Sequence, residues 1–387
     1  MSRVVAIDLP GGPGFVDALQ RIWDDGDAAL PLDRRAPAAA RARLLRELRP
    51  AALVDADGEH PFDDGVDGAP GDALVVATSG STGMPKGVVL THDAVRSSAF
   101  ATSARLGLDA DDTWLSCLPL SHVGGLSVVV RALVTQTGLV VHDGFDAEAV
   151  AEAGRRGATA VSLVATALAR IDPTLFRVIL LGGSRPPADR PSNAVTTYGL
   201  TETGSGVVYD GRPLDGVEVR IADDGEIRLR CPMLMRAYRG RTAHAHPIDA
   251  DGWFATGDLG EWRDDGQLHV AGRRGDLIVS GGENVWPDQV EAALRGDPSI
   301  ADVVVAGVDD PEWGQRVVAW VVPASGARPT LDGLRARVRE ELPAYMAPKE
   351  LRMIGAIPRT ALGKPERHRL TDAAPVDRGA IEDAPAP

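Results

Sequence analysis

Short apolar runs recur at wide intervals through the first half of the chain: ALVVAT (73–78), TWLSCLPL (113–120), GLVVH (138–142), AVSLVA (160–165) and RVILLGG (177–183). Each has the length of a buried strand, and the stretches between them carry apolar residues at helical spacing. That alternation predicts an α/β fold with a largely parallel sheet. Ahead of it, residues 1–70 show short helical patterns such as FVDALQRIW (15–23) and end in DGEHPFDDGVDGAPGD. From about residue 205 to 272 the period shortens to two around Asp-Gly turns, in VEVRIADDGEIRLRC and EWRDDGQLHVAG. This predicts antiparallel hairpins forming a small β subdomain.

A third texture begins near Arg273. A helix at WPDQVEAALRG (286–296) is followed by strands at ADVVVAGV (301–308) and VVAWVVPA (317–324), a helix at LDGLRARVREEL (331–342), and the segment PAYMAPKELRMIGAIPRT. The pattern predicts a large N-terminal domain over 1–272 and a small α+β domain over 273–370. The tail 371–387, rich in Ala, Pro and Asp, predicts disorder.

Composition narrows the function classes. The 387 residues carry a net charge of −14 with no local basic patch, which argues against a nucleic-acid partner. The arginines between Arg34 and Arg49 alternate with Ala and Leu as one face of a helix. Only Cys117 and Cys231 occur, without metal-ligand spacing, which fits a reducing cytoplasm. Neither a signal peptide nor an apolar run long enough to span a membrane is legible.

The sharpest chemical signal is Thr78-Ser79-Gly80-Ser81-Thr82-Gly83-Met84-Pro85-Lys86-Gly87, placed directly after a β-type run. Small residues let backbone wrap a polyphosphate closely, hydroxyls donate to it, and Lys86 supplies a point charge. It is not a Walker A loop, because Pro precedes the lysine and Gly follows it. The bland alternative is a flexible Gly/Ser surface loop. Tyr198-Gly199-Leu200-Thr201-Glu202-Thr203 could by itself be a capped helix start. Glu202 could equally hold Mg²⁺, which takes one or two carboxylates together with substrate phosphates.

TSGSTGMPKGVVLTH resembles the phosphate-loop signature of the adenylate-forming superfamily, which includes acyl-CoA synthetases, adenylation domains and luciferases. Five further segments resemble that superfamily's motifs in its order. YGLTET implies Tyr198 against adenine, Thr201 on the α-phosphate and Glu202 on Mg²⁺, with Thr197 and Gly199 flanking the nucleotide. Leu181-Gly182-Gly183-Ser184 is similar to the loop beside the adenine, and Thr256-Gly257-Asp258 to the segment whose Asp binds the ribose hydroxyls. Gly272-Arg273-Arg274-Gly275-Asp276 and the following Ser280-Gly281-Gly282-Glu283-Asn284 resemble the interdomain hinge and the loop offered to coenzyme A. There Arg273 contacts the ribose, and Gly275 or Asp276 carries the hinge torsion. Pro358-Arg359-Thr360-Ala361-Leu362-Gly363-Lys364 resembles the C-terminal motif whose Lys stabilises charge in the attack on the α-phosphate. The resemblance implies catalysis by Lys364, Lys86, Thr201 and Glu202, with ATP, Mg²⁺ and coenzyme A. It also implies a mobile small domain. The departure is at the N-terminus: 77 residues precede Thr78, fewer than in most relatives.

Leu118-Pro119-Leu120-Ser121-His122-Val123-Gly124-Gly125-Leu126 looks like the corresponding segment of o-succinylbenzoate–CoA ligases of menaquinone synthesis, some of whose actinobacterial members are short. GRRGDLIVSGGENVWPDQVE sits close to the same branch. Candidates for the acid pocket are His122, Ser162, Thr166, Ser184, Arg185 and Ser205. His122 could instead be a buried histidine capping a helix. Two other readings stay open: another aryl or acyl acid, or loading of an aryl acid onto a carrier protein. A degenerate nucleotide-binding protein is a more remote third, and a homodimer is compatible with all of them.

Overall fold

The computed structural model describes residues 2–79, 85–183, 189–240, 248–360 and 365–371. The chain divides into two compact units, Met1–Ala271 and Gly272–Pro387. The tail 372–387 lies outside the described residues.

The first unit holds two seven-stranded sheets and a smaller one. In the first sheet, β1 (Val4–Ile7), β2 (Ala28–Pro31), β3 (Ala52–Asp55) and β5 (Asp72–Ser79) pair in parallel, in the order β5-β2-β1-β3. Antiparallel neighbours extend it: β4 (Gly58–Pro61) beside β3, β6 (Pro85–Thr91) beside β5, and β16 (Ala237–Arg239) beside β6. The sequence reading saw only helices in residues 1–70, yet four strands lie there. VVAI and AALP are buried along their whole length, so they lack the alternation that marks a half-exposed strand. The expected helix is also present, as α1 (Pro13–Asp24), started by a Pro in its first turn and burying Phe15, Ala18, Leu19 and Ile22. The helix α2 (Ala38–Leu48) carries the arginine-rich segment.

In the second sheet β8 (Gly138–Val141), β7 (Thr113–Ser116), β9 (Ala160–Leu163), β10 (Val178–Leu181) and β11 (Ala194–Gly199) pair in parallel. The antiparallel β12 (Gly206–Tyr209) and β13 (Arg212–Pro213) complete it. The predicted strand at 113–120 stops at Ser116, because Cys117–His122 lead into the next helix. Helices α3 (His92–Leu106) and α4 (Val123–Thr135) pack on each other, while α5 (Ala147–Arg155) and α6 (Ala165–Leu168) follow β8 and β9. One core runs through both sheets and helices α1, α3 and α4, with Val5, Leu19, Val76, Val95, Trp114 and Leu126 all buried in it, while α5 and α6 pack in a second cluster with Leu115, Val161 and Ile179. The alternating segments form the third sheet, β14 (Glu218–Ile221), β15 (Glu226–Arg230), β17 (Phe254–Trp262) and β18 (Leu268–Arg273).

The second unit carries β19 (Ile278–Ser280), β20 (Glu283–Val285), the long hairpin β21 (Ile300–Asp310) and β22 (Gly314–Pro323), and β23 (Glu350–Met353) parallel to β22. Helices α7 (Pro287–Leu294), α8 (Leu331–Glu341) and α9 (Arg367–Thr371) accompany them. Its own core includes Val290, Leu294, Val303, Val305, Ala319 and Val338.

Far-apart segments of the first unit are joined by two arginines around β16. Asp72, 1% exposed, accepts from Arg236 Nε at 2.7 Å and Nη2 at 2.8 Å. Arg239 donates to the carbonyls of Leu48, Arg49 and Val66, closing the end of α2 against the sheet. No described helix is long and apolar enough to cross a membrane.

Candidate active site

The antiparallel pairing of β5 and β6 sets Thr78 opposite Lys86, at the mouth of the hydroxyl-rich loop. Thr78 Oγ1 donates to the Lys86 carbonyl at 3.5 Å. Gly80, Ser81, Thr82 and Gly83 lie outside the described residues. The Lys86 ammonium stands 3.7 Å above the ring centre of Tyr238 on β16, the strand next to β6. It also stands 3.5 Å from Glu202 Oε1. The Tyr238 hydroxyl donates to the same Oε1 at 2.8 Å. Tyr238 belongs to no motif in the sequence reading; only the fold, by pairing β16 with β6, brings it to Lys86 and Glu202.

Glu202 sits on a 3-10 turn, Thr201–Thr203, which leaves β11. The turn is fixed at both ends. Thr203, fully buried, accepts from the Leu200 N–H through Oγ1 at 2.9 Å, and the Met235 N–H donates to the Glu202 carbonyl at 2.7 Å. Tyr198, at the end of β11, donates its hydroxyl to Asp258 Oδ2 at 2.8 Å. Asp258 is 5% exposed, and its N–H donates to Thr256 Oγ1 at 3.0 Å. Gly182 meets the same strand: a Cβ on it would lie 2.8 Å from Thr197 Oγ1, so the close approach requires glycine. Gly183 follows with φ +83. Thus Thr78, Lys86, Gly182, Thr197, Tyr198, Thr201, Glu202 and Asp258 all belong to the first unit. Ser184 and Arg185 lie outside the described residues.

Beneath the turn is a buried cation that sequence reasoning missed. Arg131, on α4, is 1% exposed and lies over the Trp114 ring at 4.7 Å. Its Nη2 donates to Ser205 Oγ at 3.1 Å, while Nε and Nη1 have no hydrogen-bond partner among the described residues. Burial pulls its pKa below the ordinary guanidinium value. The guanidinium lines a narrow cavity with Leu74, Val95, Ser98, Leu126 and Gly204. Ser205, one of the acid-pocket candidates, thus stands behind that cavity. The sequence signal for Arg131 was a charged residue inside the otherwise apolar run VVVRALV.

The other pocket candidates are placed differently. His122, Ser162 and Thr166 do not line this cavity, and Thr166 is exposed. His122 occupies the N-cap position of α4, but its side chain makes no capping bond. Its Nε2 is 3.8 Å from Asp33 Oδ2, and burial holds the imidazole below its usual pKa.

In the second unit, Arg273 is exposed, and Gly275 and Asp276 lie in the 3-10 turn Arg274–Asp276. The glycine-only backbone conformation in this segment belongs to Gly272, with φ +152. Ser280 is buried, and Gly281 and Gly282 take φ of +63 and +83. A Cβ on Gly281 would lie 2.9 Å from the Trp313 ring. Lys364 lies outside the described residues; three positions on, Arg367 bonds Glu291 at 2.6 Å and Asp288 at 2.8 Å. Among the described residues there is no cluster of three or more His, Cys, Asp or Glu able to hold a metal unaided. A single carboxylate such as Glu202 nevertheless suits Mg²⁺ that arrives with a nucleotide, since phosphates and water supply its other ligands.

Two family models match the chain, the AMP-binding enzyme over residues 57–239 and the AMP-binding enzyme C-terminal domain over 289–364. The probable 2-succinylbenzoate–CoA ligase of Mycobacterium tuberculosis is 38% identical over 94% of this chain and 97% of its own length. The 2-succinylbenzoate–CoA ligase of Bacillus licheniformis is 36% identical over 77% of this chain and 69% of its own. Among solved structures, o-succinylbenzoate CoA synthetase from Bacillus subtilis in complex with its acyl-adenylate intermediate superposes with a TM-score of 0.85. It is 29% identical, and the match covers 96% of this chain and 88% of that one. The same enzyme with ATP and magnesium ion gives a TM-score of 0.84 at 28% identity, over 96% of this chain and 89% of that one.

Proposed function

The chain belongs to the family of AMP-binding enzymes, and we propose that within it this protein joins o-succinylbenzoate to coenzyme A through an acyl-adenylate. A substrate carboxylate oxygen attacks the α-phosphorus of ATP, the bond to the β-phosphate breaks, and pyrophosphate leaves. Lys86 and Lys364 offset the negative charge that accumulates in this step. Thr201 contacts the α-phosphate, Tyr198 lies against the adenine, and Asp258 and Arg273 hold the ribose hydroxyls. Thr78 to Gly83 wrap the phosphates, while Gly182 to Ser184, Thr197 and Gly199 flank the nucleotide. Glu202 would hold Mg²⁺, which would supply charge neutralisation at the phosphates. In the second step the thiol of coenzyme A, entering by Ser280–Gly282, attacks the acyl carbonyl and AMP departs. The small unit turns on its hinge between the steps, exchanging Lys364 for that loop.

Arg131 carries the choice of acid. A fully buried guanidinium with no carboxylate partner among the described residues is a costly arrangement unless an anion completes it. Gly204, two residues from Glu202, is among the residues that line the cavity with Arg131. An acid with one carboxylate to activate and a second to bury would complete that site. o-Succinylbenzoate has both, and the mycobacterial and bacillar relatives bear its name. Ser205 holds the guanidinium through its bond to Nη2.

The test is pyrophosphate release with ATP, Mg²⁺ and coenzyme A against o-succinylbenzoate, benzoate, salicylate, a medium-chain fatty acid and several amino acids. Turnover favouring o-succinylbenzoate, with its coenzyme A ester identified by mass spectrometry, is expected. Preference for a monocarboxylic acid would overturn the assignment of Arg131 and of the substrate.

A further inference from the structure

We infer that Tyr238 is the positioning residue for the metal-binding carboxylate, an inference that rests on the role proposed above for Glu202. Three distances carry it. The Tyr238 hydroxyl donates to Glu202 Oε1 at 2.8 Å, the Lys86 ammonium lies 3.7 Å over the tyrosine ring, and the same ammonium is 3.5 Å from Oε1. One side chain therefore holds both charged groups by different means, the carboxylate through its O–H and the ammonium through its π face. Both contacts to Glu202 fall on Oε1, and Oε2 is engaged by neither.

The chemistry asks for such a device. Without nucleotide, Lys86 and Glu202 neutralise each other, and left alone they would collapse into a pair that must be broken before Mg²⁺ and phosphate enter. Tyr238 supplies a second anchor for each. Its hydroxyl fixes the rotation of the carboxylate while the ammonium moves to phosphate, and its ring keeps the ammonium on the same side. Mg²⁺ tolerates little departure from octahedral geometry, so a carboxylate fixed in advance binds it better than one that rotates. The main chain of β16, paired with β6, and the Met235 N–H on the Glu202 carbonyl hold the three residues in register.

The experiment measures Mn²⁺ binding by electron paramagnetic resonance in the presence of α,β-methylene ATP, which cannot release pyrophosphate. Full-length wild type is compared with Tyr238→Phe, Glu202→Ala and the double variant, with thermal unfolding checked on each. Glu202→Ala should weaken Mn²⁺ binding. Tyr238→Phe, which keeps the ring, should raise the half-saturating Mn²⁺ roughly tenfold. In the Glu202→Ala background, Tyr238→Phe should have no further effect, because the hydroxyl acts through that carboxylate. A Tyr238→Phe titration that overlays wild type, with Glu202→Ala impaired, would overturn this inference alone. The same loss in both backgrounds would also overturn it, leaving Tyr238 as a support of the fold. Mn²⁺ binding unchanged by Glu202→Ala would overturn the role of Glu202 and this inference with it. Tyr238→Leu, which removes the ring as well, should additionally weaken the nucleotide analogue at saturating metal; no added loss would overturn the part assigned to the π face.

Discussion

Tyr198 and Asp258, sixty positions apart in sequence, are joined by a 2.8 Å hydrogen bond between the phenol and Oδ2. The bond links β11 to β17, and so ties the aromatic residue assigned to the adenine to the carboxylate assigned to the ribose. In the proposed site the two residues are thus held together by one direct bond.

Asp258→Ala should raise the KM for ATP about ten- to a hundredfold, the scale of one charge-assisted hydrogen bond or two. The KM for the acid should change little. Steady-state kinetics with each substrate varied in turn checks this, and the reverse pattern would displace the ribose site from Asp258.

Lys364→Ala should remove adenylation while sparing thioester formation from supplied acyl-adenylate. The two half-reactions are separable by pyrophosphate release and by coenzyme A ester formation. Equal loss in both would contradict a role confined to attack on the α-phosphorus.

The nucleotide motifs were legible because each is a local string whose spacing survives any packing. Thr78, Lys86, Tyr198, Glu202 and Asp258 could be named before the fold was known. Tyr238 and Arg131 could not. Tyr238 reaches Glu202 only through the pairing of β16 with β6, a contact across about 150 residues that no local pattern encodes. Arg131 sits in an apolar helix, where one charge reads as an accident until its burial and the lack of a carboxylate beside it among the described residues are seen. The strands β1 and β2 escaped for a different reason: four-residue runs buried on both faces have no period to detect.

Arg131→Met keeps the length and apolar stem of the side chain but removes the charge. It should raise the KM for o-succinylbenzoate at least tenfold, the cost of leaving one buried carboxylate unpaired, with the KM for ATP nearly unchanged. Because the guanidinium has no carboxylate partner among the described residues, the variant should be no less stable to heat than wild type. A lower melting temperature with unchanged acid KM would make Arg131 a structural residue.

Acid should weaken the fold through two histidines. Burial holds His92 and His122 below their ordinary pKa of 6.5. The unfolded chain therefore takes up protons near pH 6.5 that the folded chain refuses. Their contribution to stability is full above that pH and is lost as pH falls from it towards the folded values. Melting temperature should decline between about pH 6.5 and 5.5, and His122→Gln should reduce that slope. An unchanged slope in the variant would remove His122 from the effect.

The clamp around β16 constrains how the protein is made. Asp72 is sealed from water, and the arginine that balances it comes 164 residues later. Until Arg236 has emerged from the ribosome, a nascent chain that closed its first sheet would bury an uncompensated carboxylate. A settled first sheet is therefore expected only after the 164 further residues up to Arg236 have been synthesised. Fragments ending before Arg236 should be aggregation-prone and depend on chaperones to stay in solution.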